Sequence, residues 1–85
     1  MKTKQLKKVM KRNKGNPYMR RRDMRRLQKA INHNNRLLFR LGQLERDGVM
    51  NGHSVMTDWA KDIKRHLLWI ADEKGVAVDP GGMPR

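Results

Sequence analysis

The 85-residue chain has no cysteine, so neither a disulfide nor a cysteine-based zinc site can staple it. Aromatic residues are few: two Trp, one Tyr and one Phe. Leu, Ile, Val and Phe together number 17. That is about 20% of the chain, the edge of what a folded core needs. No stretch approaches the ~18 apolar residues that cross a bilayer. The opening MKTKQLKKVMKRNKGN has the charge of a secretory leader without its apolar centre, and less Ser and Arg than a mitochondrial one. The expected location is the cytoplasm, or the nucleus of a eukaryote.

Acid is the other scarcity, and it is local. Residues 1–40 carry fifteen Lys/Arg against Asp23 alone, whereas residues 41–85 carry six Lys/Arg against seven acids. Like charges crowded into one half repel and oppose compaction. A polyanion that offsets the repulsion explains the segregation. Nucleic acid is the first candidate, and an anionic membrane surface is the second. The membrane reading fails for want of an apolar face, because the arm offers only Leu6, Val9 and Met10.

A chain this short forms one small domain. Residues 1–15 read as a basic, flexible arm ended by Gly15. Asn16-Pro17 reads as a helix start, with Asn as cap and Pro at the first helical position. Met24, Leu27, Ile31, Asn34, Leu38 and Leu41 then step by 3 and 4 along one face. Leu37 and Leu44 widen that face, and Asn34 places a polar residue in its seam. Gly48 predicts a left-handed C-cap. Asn51-Gly52 predicts a turn, and Ser54 caps a second helix. There Met56, Trp59, Ala60, Ile63, Leu67, Ile70 and Ala71 share a face, and Gly75 ends it.

The expected fold is therefore all-α. It is a helical hairpin, with a long helix over about 17–47, a turn, and a helix over about 54–74. The helical domain spans 16–78. Residues 79–85 are expected to form a disordered tail, and Val76–Val78 to pack back on the helices or add a short extended segment. Two helices make a thin core, so completion by a second copy (a homodimer) or by a third, N-terminal helix is expected.

The residues expected to bind nucleic acid are Lys7, Lys8, Lys11, Arg12 and Lys14 in the arm, then Tyr18, Arg20, Arg21, Arg22, Arg25, Arg26, Lys29 and Arg36. Arginine's planar fork gives phosphate two parallel hydrogen bonds and keeps its charge at every relevant pH. Helices that carry charge only for solubility interleave Glu with Lys. This one has Asp23 alone. Cations near a helix N-terminus also oppose its macrodipole, so the arrangement costs stability. Tyr18, beside Arg20–Arg22, is placed to stack on a base or sugar.

The run MRRRDMRRLQKA resembles the arginine-rich RNA-binding peptides of lambdoid phage N antiterminators. Those also carry a triple arginine, an acid and a double arginine on one short helix. The resemblance covers residues 19–30, with Met24 as an extra residue between the acid and the arginine pair. It implies RNA as a target beside DNA. A second stretch, LERDGVMNGHSVMTDWAKDI, resembles a helix-turn-helix in outline. Its turn is one residue too long, and Asp58 and Asp62 would face phosphate. A plain helical hairpin with Trp59 in the core is the expected reading, with Trp69 and Phe39 off the seam.

His33, His53 and His66 are too scattered to ligate a metal, and Ser54 is the only serine. Asp58 and Asp62 fit the electropositive start of a helix better than acid–base chemistry. The expectation is a non-enzymatic nucleic-acid-binding protein, such as a small transcriptional regulator, with no cofactor. The alternative is a small interaction protein that modulates a larger partner, such as a polymerase, through an acidic surface on that partner.

Overall fold

The computed structural model describes residues 18–50 and 55–85. They form two helices, α1 (Arg21–Arg46) and α2 (Val55–Glu73), with no strand among the described residues. The helices pack against each other as a hairpin. The basic arm, the Asn16-Pro17 start, the Asn51-Gly52 turn and the Ser54 cap lie outside the described residues. Tyr18–Arg20 are not helical, and α1 starts later than expected. Arg20 takes the cap position in extended conformation without a side-chain cap bond.

Both helix ends follow the glycine rule. At the end of α2, Gly75 adopts φ +62° and its N–H donates to the Asp72 carbonyl (3.1 Å). The Val76 N–H donates to the Ala71 carbonyl (2.8 Å). Two orphan carbonyls are thereby satisfied, and Val76 is folded back into contact with Ala71. Gly48 ends α1 in the same way, with φ +76°.

The core is small. Met24, Leu27, Ile31, Ala71 and Val76 are buried together, with Met19, Leu67, Leu68, Ile70 and Val78 packed around them. Towards the turn Leu41, Ala60 and Thr57 are buried outside that cluster. Asn34 sits in the seam as its spacing predicts. It is buried, and its amide donates to the Ala60 carbonyl on α2 (3.0 Å). Thr57 Oγ1 donates to Glu45 Oε1 (2.8 Å), a second tie between the helices.

Two expectations are corrected. Trp59 does not fill the core: it is 62% exposed, and Met56 and Ile63 are also exposed. The neighbouring small residues, Ala60 and Thr57, face α1 instead. They let the helices approach closely, and the large side chains stand to the side.

The second correction concerns residues 79–85. They do not hang free but run back along α1. The Gln28 side chain and the Asp79 backbone bond each other twice. Gln28 Nε2 donates to the Asp79 carbonyl (2.9 Å), and the Asp79 N–H donates to Gln28 Oε1 (2.8 Å). Gln28 Nε2 also donates to Asn32 Oδ1 (2.9 Å). Asn35 Nδ2 donates to the carbonyls of Pro80 (2.9 Å) and Gly82 (2.8 Å).

Asp79-Pro-Gly-Gly is itself a turn, closed by the Gly82 N–H donating to the Asp79 carbonyl (3.3 Å). Gly81 does not take positive φ, which fits type I with Pro80 at the second position. Gly82 is required by closeness. A Cβ there would run into the amides of Asn32 and Gln28.

This docking makes an ordinary-looking tail part of the fold. Gly82→Ala should cost about 1–3 kcal/mol by forcing the amides apart. Gln28→Ala should cost a similar amount, about 1–3 kcal/mol, by removing the bonds that satisfy the Asp79 backbone. Urea unfolding followed by circular dichroism checks both. An unchanged midpoint in both variants would show that the tail does not hold to α1 in solution.

Candidate nucleic-acid interface

The first half of α1 is positioned by what it buries. With Asn34 pointing to α2, 100° per residue sends Arg22, Arg25, Arg26, Lys29, His33, Arg36 and Arg40 into one arc about 100° wide on the far side of the helix. The two acids of α1, Asp23 and Glu45, fall outside that arc on the side towards α2. The basic side chains therefore form one ridge, with Arg25 beside Arg26, the other steps three or four residues, and the imidazole of His33 between Lys29 and Arg36. From Arg22 to Arg40 the ridge runs about 27 Å at 1.5 Å per residue.

Its N-terminal part is the densest. Arg21, Arg22, Arg25, Arg26 and Lys29 wall a shallow open cleft of about 340 Å³. Within it only Arg26 has a carboxylate near, Asp23 at 3.5 Å, and both side chains are largely exposed. An exposed pair of this kind neutralises little. The second ion pair among the described residues, Arg65 with Asp62, lies on α2 away from the ridge. Arg21, Arg22, Arg25, Lys29, Arg36 and Arg40 make no ion pair among the described residues.

Such a surface presents planar, charged forks, of which Arg26 alone has an exposed carboxylate beside it. It suits oxyanions arranged in a line.

Of the residues expected from sequence, the structure brings Arg21, Arg22, Arg25, Arg26 and Lys29 together at the cleft and sets Arg36 further along the same ridge. Arg20 is exposed just before the helix. Tyr18 is exposed beside it. Lys7, Lys8, Lys11, Arg12 and Lys14 lie outside the described residues. Arg40 extends the ridge and was not among the expected residues. Its spacing of four from Arg36 is the signal that finds it. Among the described residues no cluster of three His or acidic side chains could hold a metal. No helix among them is long and apolar enough to cross a membrane.

The ridge works against the helix that carries it. Arg21 and Arg22 occupy the first turn, where the macrodipole favours anions. Arg22→Glu should therefore raise stability by about 0.5–1 kcal/mol at low ionic strength, and the gain should shrink as salt screens it. Thermal melts at two salt concentrations check this. A melting temperature that falls in the variant would mean that Arg22 holds the fold together rather than serving an external ligand.

Comparison of the chain with protein-family models, with curated proteins and with solved structures finds no match.

Proposed function

We propose that this protein is a non-enzymatic nucleic-acid-binding protein that grips the phosphate backbone through the basic ridge of α1, aided by the lysines of its arm. One observation carries the reading: a ridge of basic side chains with Asp23 as its one nearby acid, whose N-terminal end opposes the macrodipole of its own helix. A feature that costs stability at its N-terminal end and makes a single exposed ion pair inside the fold is explained by a ligand that repays it on binding.

The chemistry follows from the side chains. Arginine forks donate paired hydrogen bonds to phosphate oxygens, and Lys29 adds a point charge. Each contact releases condensed counterions, which supplies most of the affinity. A ridge of about 27 Å on a rigid helix spans most of one ~34 Å turn of a duplex. Contacts of this type fix position and orientation and carry no base sequence. The reading therefore gives broad affinity for duplex phosphate, with the exposed Tyr18 just before the helix as a further candidate contact.

The test is fluorescence anisotropy of nuclease-treated protein with labelled duplex DNA, duplex RNA and an RNA hairpin, over a series of salt concentrations. With about six phosphates engaged on DNA, log K should fall with log salt at a slope of about −5. Replacing Arg21, Arg22 and Arg25 together by Ala should flatten the slope by about 2–3 units. Absence of binding at low salt, or a slope unmoved by the triple variant, would overturn the assignment. The order among the three probes separates DNA from RNA.

A further inference from the structure

The hairpin has two broad faces, and the C-terminal segment covers only one. Round α1 from Asn34, the residues Gln28, Asn32 and Asn35 that hold the segment lie about 100–160° in one sense. Leu37 and Leu44 lie about 60–80° in the other sense. Round α2 from Ala60, the hydrogen-bonded partner of Asn34, the residues Met56, Ile63 and Trp59 lie about 40–100° in that same other sense. Antiparallel right-handed helices put equal senses on the same side. These five side chains therefore share the uncovered face, at the turn end of the hairpin. They are exposed by 45, 37, 51, 50 and 62% respectively.

We infer that this face is where two copies of the chain pair, about a two-fold axis that crosses the helices, to make a four-helix arrangement. The inference is independent of what the basic ridge binds.

Three observations choose a second copy as the occupant. The first is area. The five side chains expose on the order of 500 Å² of largely apolar surface, towards the upper end of the largest patch an ordinary monomer shows (about 300–600 Å²) and enough for the centre of a standard interface of about 800 Å² per partner.

The second is charge. Residues 37–63, which span the five side chains, contain Glu45, Asp47, Asp58 and Asp62 against Arg40, Arg46 and Lys61, a formal sum of −1. A near-neutral apolar face admits its own copy. A membrane surface or an acidic partner would call for a surplus of cations around it. An axis across the helices also sends the two arginine ends in opposite directions, so that the strongly charged parts stand furthest apart.

The third is the composition of the segment outside the described residues that precedes α1. Residues 1–17 carry seven Lys/Arg, no acid and few apolar side chains (Leu6, Val9 and two Met). They are a poor match for a face of Leu, Met, Ile and Trp.

The same axis leaves both arginine ridges on one flank of the pair. The dense arginine ends of the two ridges then stand at opposite ends of that flank.

The experiment is sedimentation of the full, nuclease-treated chain at about 0.5 M salt, where surface charges are screened within about 4 Å. Nucleic-acid binding and its failure play no part under these conditions. The wild type should sediment as a species of about 20 kDa, twice the 10.1 kDa chain. Trp59→Glu should weaken association by at least 30-fold (order of magnitude, for an aromatic anchor replaced by a charge) and leave the helical circular dichroism unchanged, because Trp59 is not a core residue. Trp69→Glu, an equally exposed tryptophan on the outer side of α2, should leave the pair intact. A wild type that stays at the single-chain mass at high concentration overturns the inference. So does a dimer that survives Trp59→Glu, or one that Trp69→Glu disrupts equally.

Discussion

The fold depends on one reciprocal contact, the side-chain amide of Gln28 bonded twice to the backbone of Asp79. Gln28 is only 1% exposed. A buried amide left without partners costs about 1–3 kcal/mol. The burial is therefore tolerable only while the C-terminal segment is in place. The segment has no helix or sheet of its own to satisfy its backbone, so it is ordered only while Gln28 and Asn35 provide partners. Each side makes the other possible. Every buried side-chain nitrogen and oxygen among the described residues has a hydrogen-bond partner. The polar side of α1 thus meets the condition under which buried polar groups confer a unique arrangement rather than instability.

This amide surface compensates for a thin apolar core. Ile31 is fully buried, but few large side chains accompany it. Elsewhere along the hairpin the contact is made by Ala60, Ala71, Thr57 and Asn34. Small residues bring the helix axes together, and side chains that reach the opposite backbone or carboxylate fix the register. A one-turn slip would break the Asn34–Ala60 and Thr57–Glu45 bonds. The division of α1 into three arcs follows: one apolar and narrow towards α2, one of amides under the C-terminal segment, and one cationic facing out.

The hairpin, both glycine caps and the seam position of Asn34 were legible in the sequence, because they rest on local rules: period, capping and left-handed backbone. The docked segment was not. Gln28, Asn32 and Asn35 recur at i, i+4 and i+7, which is helical spacing, but uncharged amides read as a wetted face unless their partner is known. Asp79-Pro-Gly-Gly reads as a loose turn for the same reason. Its order comes from residues about fifty positions earlier, which no local window contains. Trp59 was misplaced because adjacent residues differ by only about 100° round a helix. A stripe holding both Trp59 and Ala60 leaves open which of them faces inward. Size favours tryptophan as core, but close approach of two helices favours alanine, and here the close approach won. The candidate site was legible as composition. Its form as a continuous ridge reaching Arg40 emerged once the inward direction of α1 was fixed by Asn34.

The three arcs also explain how one helix can carry so opposed a charge. The cost of crowding arginine at the N-terminal end falls on the outer arc, whose side chains are exposed apart from the half-buried Arg36. The arcs that hold the fold contain neither a lysine nor an arginine among their buried residues. Stability and the phosphate-gripping role proposed for the ridge are therefore written on separate surfaces of the same 26-residue helix. The ridge is free to vary in charge without disturbing the amide and apolar contacts that place it. The converse does not hold: the direction of the ridge is set by Asn34, Gln28 and Asn35, none of which is charged. Changes at those three residues would rotate or loosen the cationic surface without altering a single one of its charges.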